Sequence, residues 1–197
     1  MNLLLGTRNE GKIRELLEIL ADLEDVNLLT FRECPFGSVQ ESGRTFLENA
    51  LLKARTIAVE TGMAVLAEDA GLEVAALEGQ PGVISARFAG SGSNAGKNNA
   101  LLLKRLKGVT DRRARFVAVV VVRFPHGPEI VGQGVLEGTI AERPYGTGGF
   151  GYDPLFIPMG YSKTLAGMTL ADKSRISHRR RAIEEIKQPL RLLVSRA

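Results

Sequence analysis

The first 31 residues alternate an apolar segment, an amphipathic segment and a second apolar segment. Residues 2–6 predict a short strand, residues 10–22 a helix, and residues 26–31 another strand. The apolar face of the predicted helix consists of Ile13, Leu16, Leu17 and Leu20. Strand, helix and strand in this order predict a βαβ unit, in which the two strands are parallel.

A second helix and a third strand follow a loop rich in glycine and proline. Thr45 and Glu48 match the pattern of a capping box, which predicts a helix start. The helical pattern ends at Gly62, because glycine is favoured just beyond a helix C-terminus. Residues 63–67 predict a strand, and two acidic residues follow it directly.

The remainder combines a long hairpin with helices. Residues 98–106 predict a short helix, and residues 113–124 and 129–140 are β-rich runs joined by a Pro-His-Gly-Pro turn. From residue 171 the pattern is helical, with Pro189 expected to kink or break the helix. Together these elements predict an α/β fold with a mixed, twisted central sheet and flanking helices, arranged as two lobes in one domain over residues 1–197.

Composition excludes several classes of protein. Apolar residues make up 44% and charged residues 24% of the 197, as in globular proteins. No apolar run approaches the roughly 20 residues that span a bilayer. The N-terminus lacks the features of a signal peptide, and the lone Cys34 has no partner for a disulfide. We therefore expect a cytoplasmic protein. The net charge of +4 is too small for a dedicated nucleic-acid binder.

A candidate anion site lies between the first strand and the first helix. Gly6, Gly11 and Lys12 have the spacing of a phosphate-binding loop. The N-terminus of a helix attracts anions through its backbone amides and dipole, and Lys12 adds a positive charge. Ile13 stands where a nucleotide-binding P-loop has Ser or Thr, so the hydroxyl that binds magnesium is missing. The sequence predicts phosphate binding without a P-loop fold.

Three further segments carry candidate functional groups. Glu68 and Asp69 follow the third strand, and Glu41 lies in a loop beside Gly43; such acids near phosphates suit Mg²⁺. The glycine-rich segment 146–154 displays Phe150 and Tyr152, either of which could stack on a base. The fourth segment is basic, and contains Lys173, Arg175, His178 and Arg179.

In this order the four segments resemble the inosine triphosphate pyrophosphatase family. The resemblance covers nearly the whole chain, and it rests on the following residues: Thr7, Asn9 and Lys12; Glu41, Ser42 and Gly43; Thr45, Phe46, Glu48, Asn49, Ala50, Lys53 and Ala54; Glu68, Asp69, Ala70, Gly71 and Leu72; Pro81, Gly82, Val83, Ser85, Ala86 and Arg87; Gly148 to Pro154; and Ser177, His178 and Arg179.

The resemblance implies Mg²⁺-dependent hydrolysis of noncanonical purine nucleoside triphosphates (ITP, dITP and XTP) to the nucleoside monophosphate and pyrophosphate. It implies a nucleotide cleft between the lobes, a homodimer, and no stable complex with membranes or nucleic acids. Asp69 and Lys12 are the expected catalytic residues, and Asp69, Glu41 and Glu68 the expected metal ligands. The expected substrate-binding residues are Thr7, Arg8, Asn9, Glu10, Gly11, Lys12, Ala70, Phe150, Gly151, Tyr152, Asp153, Lys173, His178 and Arg179.

Within this set, Thr7, Asn9, Lys12 and Lys173 are expected on the triphosphate. Residues 150–153 are expected to hold the base, with His178 and Arg179 reading its edge. Three positions depart from the family pattern: Arg8 replaces a frequent glycine, Gln40 a frequent acid, and Ala70 a frequent hydroxyl residue. An alternative hypothesis is a nucleotide or single-stranded nucleic-acid binding protein without hydrolysis. A P-loop kinase is a third possibility that Ile13 disfavours.

Overall fold

The opening βαβ unit is present in the computed structural model, which describes residues 1–194. Strand β1 (Asn2–Leu5) pairs in parallel with β2 (Asn27–Leu29), and α1 (Glu10–Ile19) connects them. The predicted unit is therefore confirmed, although the helix ends earlier than its apolar pattern suggested.

Helix α2 (Phe46–Thr61) begins and ends where the sequence predicts. The side-chain oxygen of Thr45 accepts a hydrogen bond from the backbone N–H of Glu48 at 3.1 Å. Glu48 in turn accepts from the N–H of Arg44, one residue before the position that a capping box requires. Gly62 ends the helix with φ of 66°, a conformation that glycine adopts without strain.

Strand β3 (Ala64–Val74) is longer than predicted. The sequence placed the end of this strand before Glu68 and Asp69, but both acids lie inside it. The strand continues because Leu72 and Val74 alternate as fully buried residues beyond the acids. It pairs in parallel with β1. The two carboxylates are therefore held by an extended backbone, with neighbouring side chains on opposite faces.

The second half of the chain completes a mixed sheet. Helix α3 (Ala95–Arg105) is followed by β4 (Arg113–Arg123), β5 (Glu129–Ile140) and β6 (Phe156–Pro158). The predicted hairpin is confirmed as β4 and β5, and β6 pairs antiparallel with β5. The strand order is β2-β1-β3-β4-β5-β6.

The C-terminal helical region breaks at Ser177. Helix α4 (Leu170–Ile176) ends there, and α5 (His178–Val194) begins at the next residue. Helix α5 continues through Pro189, so the break that the sequence allowed there is wrong, and the alternative of a kink stays a prediction. The proline removes one helical hydrogen bond, and the full burial of the nearby Ile186 and Leu190 offsets that loss.

The chain folds into two compact units. Unit 1 contains residues 1–69, 118–134 and 179–194, and unit 2 contains residues 70–117 and 135–178. Strands β3, β4 and β5 each contribute residues to both units. Among the described residues, no helix is both long and apolar enough to cross a membrane.

Candidate functional site

The loop before α1 is ordered by its own side chains. Asn9 is the N-cap residue of α1, and its side-chain oxygen accepts from the N–H of Lys12 at 3.1 Å. The Thr7 hydroxyl accepts from the N–H of Asn9 at 3.2 Å. The predicted succession of strand, loop and helix N-terminus is confirmed, and it gives this segment the electrostatics of an anion site. Gly11 lies in the first turn of the helix.

Lys12 extends from this first turn to Glu68. Its Nζ lies 3.3 Å from Glu68 Oε1, and the lysine side chain is 17% exposed. Burial lowers the pKa of Lys12 below the ordinary lysine value, against the opposing effect of Glu68. The contact of Lys12 with phosphate stays a prediction.

Two other residues of this segment have partners outside it. The Arg8 guanidinium donates a hydrogen bond to the carbonyl oxygen of Phe36 and lies 5.6 Å from the centroid of its ring. Glu10 forms a 2.8 Å ion pair with Arg32 in which both side chains are largely exposed. Their predicted contacts with substrate stay predictions.

Asp69 is surrounded by three polar side chains of unit 1. Lys53 Nζ donates to Asp69 Oδ1 at 2.9 Å and to Glu41 Oε1 at 2.7 Å. The side-chain amide of Asn49 donates to the other Asp69 oxygen at 3.2 Å. Asp69, Asn49 and Lys53 are all buried. The orientation of the Asp69 carboxylate is thus fixed at both oxygens.

Burial affects the protonation of this cluster in two directions. It raises the pKa of Asp69, partly offset by the Lys53 ammonium. Burial alone would lower the pKa of Lys53, but the carboxylates of Asp69 and Glu41 outweigh it and raise that pKa. A buried acid with a raised pKa has the increased proton affinity that suits a general base.

Glu68 has a separate set of partners. Arg179 donates to it twice, from Nε at 2.5 Å and from Nη2 at 2.7 Å, and donates from Nη1 to Glu15. Arg179 is 1% exposed, and both acids are buried. The carboxylates on either side raise the pKa of Arg179 despite its burial, so it carries its charge at every physiological pH.

The three predicted metal ligands have different partners in the structure, and their binding of a metal ion stays a prediction. Over residues 1–194, no group of three or more His, Cys, Asp or Glu side chains could hold a metal ion. Glu68 is separated from Asp69 because side chains alternate along β3, and Glu68 faces Arg179 and Lys12. Glu41 and Asp69 do converge, on the Lys53 ammonium. Two carboxylates around one cation match the ligands of Mg²⁺, which completes its coordination with water and phosphate oxygens.

Three residues of the unit 1 cluster were not predicted as site residues. Lys53 and Asn49 face Asp69, and Glu15 holds Arg179. Asn49 and Lys53 are four residues apart and therefore share a face of α2. In the sequence, the signal that could have identified them is an asparagine and a lysine spaced four residues apart in a predicted helix.

The predicted base-binding loop belongs to unit 2. Asp153 Oδ2 accepts from the backbone N–H of Phe150 at 2.8 Å and from Lys173 Nζ at 2.5 Å. Lys173 Nζ also lies 4.7 Å from the centroid of the Phe150 ring. The lysine that we expected on the triphosphate is therefore placed against this loop. Its buried ammonium is matched by the Asp153 carboxylate and the ring face.

The two aromatic residues of the loop differ in exposure. Tyr152 is 4% exposed, and its hydroxyl donates to the carbonyl oxygen of Ser85 at 2.9 Å. The prediction that the loop displays both rings is therefore wrong, because Tyr152 packs in the core. Phe150 is half-buried. Between them, the carbonyl oxygen of Gly151 accepts from the Asn99 amide at 3.1 Å.

His178 and Arg179 are consecutive but have different surroundings. His178 is a buried residue of unit 2 and stacks on Phe116. Arg179 is grouped with unit 1, where Glu15 and Glu68 bind its guanidinium. The role of these two residues in reading a base edge stays a prediction. Ala70 follows Asp69 in β3 and is half-buried.

Comparison with known proteins gives consistent results. Residues 3–189 match the model of the Ham1 family. The dITP/XTP pyrophosphatase of Thermus thermophilus is 48% identical over 188 residues, which cover 94% of this chain and 90% of the relative. The dITP/XTP pyrophosphatase of Exiguobacterium is 46% identical and also covers 94% of this chain.

Solved structures resemble nearly the whole chain. The Ham1 protein of Staphylococcus aureus has a TM-score of 0.86 and 39% sequence identity, covering 97% of this chain and 98% of the other. A Ham1 protein from Coxiella burnetii has a TM-score of 0.87 and 36% identity, covering 96% and 98%. The mixed α/β sheet predicted from the sequence is confirmed by these neighbours.

Proposed function

The chain belongs to the Ham1 family, and from that premise we propose that it hydrolyses noncanonical purine nucleoside triphosphates to the monophosphate and pyrophosphate. The observation that carries this proposal is the 48% identity, over 94% of the chain, to a dITP/XTP pyrophosphatase. The resemblance predicted from the four sequence segments is thereby confirmed. The geometry of the site supports particular roles for its residues.

Binding of the triphosphate is assigned to the start of α1. Thr7 and Asn9 order the loop so that the helix N-terminus presents its amides, and the Lys12 ammonium adds a charge. A triphosphate resists attack because negative oxygens shield its phosphorus atoms. Lys12 offsets part of that charge. Glu68, held by Arg179, supports the lysine in turn by lying 3.3 Å from its Nζ.

We propose that Asp69 accepts the proton of the attacking water. Its fixed orientation between Asn49 and Lys53 supports this role. Water supplies its oxygen to one phosphoryl group, the P–O bond between the α and β phosphates breaks, and the water proton passes to the Asp69 carboxylate. The products are the nucleoside monophosphate and pyrophosphate.

The residues present fit a requirement for Mg²⁺, which we propose as the cofactor. Asp69 and Glu41, whose carboxylates both contact the Lys53 ammonium, would hold the ion. When bound, Mg²⁺ would neutralise phosphate charge and orient the reacting groups. Gln40 stands where the family resemblance leads us to expect an acid, so Glu41 is our candidate for the second carboxylate.

Recognition of the base is assigned to Phe150, Lys173 and His178. The Lys173 ammonium lies over the Phe150 ring, and we assign stacking of the purine to this ring. Hypoxanthine and xanthine carry an oxygen acceptor at position 6, whereas adenine carries an amino donor. A buried donor facing that amino group would lose its partner, which costs about 1–3 kcal/mol. His178 is our candidate for this donor.

Products identify the reaction directly. The purified protein is incubated with ITP, GTP and ATP, with and without Mg²⁺, and the products are separated. Inosine monophosphate plus pyrophosphate, formed faster than the ATP products and only with Mg²⁺, is the expected result. Inosine diphosphate plus phosphate would contradict the assigned bond. Absence of turnover, with binding that weakens steeply as salt rises, would favour the binding protein of the alternative hypothesis.

We further propose a homodimer in the cytoplasm, as the family resemblance implies. Sedimentation velocity on the purified chain tests whether it forms a homodimer. A monomer at micromolar concentration would contradict it.

A further inference from the structure

The ring of His178 lies flat against the ring of Phe116. The two ring centroids are 4.8 Å apart and the planes are inclined by 10°, which defines a stacked pair. Phe116 is 8% exposed and His178 is 5% exposed. Aromatic pairs favour offset stacking at such distances. The contact is therefore an enclosed stack rather than a chance surface approach.

Both stacked residues lie on regular secondary structure. Phe116 lies on β4, where Ala114 and Phe116 point inward while Arg113 and Arg115 are exposed. His178 opens α5 directly after Ser177, whose extended backbone (ψ 148°) ends α4. The backbone fixes where the imidazole begins, but a histidine side chain keeps rotational freedom at its terminal bond. The flat face of Phe116 removes that freedom, because rotating the imidazole would drive its edge into the ring.

We propose that Phe116 is a positioning residue for His178, and that base preference depends on it although it does not touch the substrate. This inference rests on the proposed function, in which His178 meets the edge of the base. Hydrogen bonds weaken steeply as their angle departs from linearity. An imidazole held in one plane can favour one pattern of donors and acceptors, whereas a rotating one adapts to several.

If Phe116 only packed the core, replacing another core phenylalanine should have the same effect. Phe156 therefore serves as the control that distinguishes a positioning role from a packing role. Phe156 belongs to the same core cluster, is fully buried and lies 4.7 Å from Phe116 between centroids. The ring that stacks on His178 is that of Phe116. Phe116→Leu and Phe156→Leu therefore each remove one phenyl ring from the same core cluster, and only the first removes the stack.

Histidine NMR reports the stack without any assay of activity. The chain has two histidines, and the other, His126, lies in the turn between β4 and β5. The Phe116 ring current displaces the signals of a stacked imidazole. In Phe116→Leu the His178 ring signals should move downfield and those of His126 should stay, whereas Phe156→Leu should leave both nearly unchanged. Unmoved His178 signals in Phe116→Leu would overturn the inference.

Kinetics then test the consequence. The ratio of kcat/KM for ITP to that for ATP is measured for the parent and both variants. Misplacement of a binding group by about 1 Å can lower the rate of an enzyme about 100-fold. We therefore expect the ratio of kcat/KM values to fall about tenfold or more in Phe116→Leu. It should stay within about twofold in Phe156→Leu, with a similar loss of Tm in both. Phe116→Tyr, which keeps the ring, should retain the parental ratio. An equal fall in both leucine variants would overturn the inference.

Two results would separate this inference from the proposed function. A parent that hydrolyses no ITP would contradict the function, and the NMR comparison would still decide whether Phe116 orients His178. A parent that prefers ITP, with a Phe116→Leu variant of unchanged preference, would overturn the inference and leave the function standing. Phe116→Met replaces the leucine variant if that variant unfolds.

Discussion

Arg179 holds Glu68 through two parallel hydrogen bonds, with Nε on Oε2 at 2.5 Å and Nη2 on Oε1 at 2.7 Å. The planar guanidinium matches the carboxylate in geometry as well as charge. The next residue along β3 is Asp69, so this pair fixes the strand immediately beside the proposed general base. Glu15 takes the remaining Nη1 donor.

Replacing Arg179 should destabilise the fold. Arg179→Met leaves two buried carboxylates without their shared cation, and breaking a buried pair in this way costs about 3–5 kcal/mol. Urea unfolding of the variant measures the loss. Arg191→Met is the matched control on α5, because Arg191 pairs with Asp22 at the surface and should contribute no more than about 1 kcal/mol. Equal losses in the two variants would contradict the role of the buried pair.

Replacing Asp69 should remove activity without unfolding the protein. Asp69→Asn keeps the size of the side chain but cannot take a proton from water, so we expect turnover of ITP to fall at least about 100-fold. Circular dichroism confirms the fold. Glu73→Gln is the control, since Glu73 lies on the same strand and pairs with Arg115 at a more exposed position. An active Asp69→Asn variant would rule out this residue as the base.

Removing Lys53 should make stability depend on Mg²⁺. Without metal, Lys53→Met leaves Glu41 and Asp69 facing each other without a cation, so its Tm in EDTA should fall below that of the parent. Added Mg²⁺ should raise the Tm of the variant more than that of the parent, because the ion supplies the missing charge. Lys97→Met, at an exposed position on α3, controls for loss of a lysine. The proposed metal site is contradicted by an equal response of all three proteins.

Lys12 should set the alkaline limit of activity. An ordinary lysine has a pKa of about 10.4. Because the pKa of Lys12 is lowered, its ammonium loses its proton below that pH, and kcat/KM should decline there as well. The Lys53 pKa is raised, which excludes Lys53 as the source of an early decline. Arginine stays charged, so Lys12→Arg should move the decline to higher pH. Profiles that superimpose would assign the limit to another group.

Gly149 should be essential to the geometry of the base loop. A Cβ at this position would lie 2.0 Å from Asp153 Oδ2, at a φ of 71°. Gly149→Ala should displace the Asp153 carboxylate from Lys173 and raise the KM for ITP. Gly160→Ala is a matched control, because Gly160 has a similar φ of 83° and open space around its Cβ position. If Gly160→Ala raises KM equally, backbone strain rather than the Asp153 contact is responsible.

Local patterns in the sequence predicted most of the elements. Thr45 acts as the N-cap of α2, Gly62 ends that helix, and the hairpin turn falls where proline and glycine interrupt two apolar runs. Such features depend on residues a few positions apart. The length of β3 and the continuation of α5 through Pro189 depend instead on burial against distant segments.

Partners of the site residues were harder to predict for the same reason. The pairing of Arg179 with Glu68 joins residues 111 positions apart, and no local pattern relates them. The family resemblance led us to expect Lys173 on the triphosphate, yet its ammonium binds Asp153 and lies over the Phe150 ring. Residue type identified the segments that carry the chemistry. Only the three-dimensional pairing shows which cation neutralises which acid.

The position of Lys53 between two acids has a consequence for the choice of metal. An ion that took the place of the Lys53 ammonium on the proposed metal site would replace a charge of one unit that the protein already supplies. Sodium and potassium carry the same unit, so their exchange for the ammonium brings no added attraction to Glu41 and Asp69. A divalent ion doubles it. On the proposed metal site, the lysine thus makes the protein select by valence, and abundant monovalent salt competes poorly for its carboxylates.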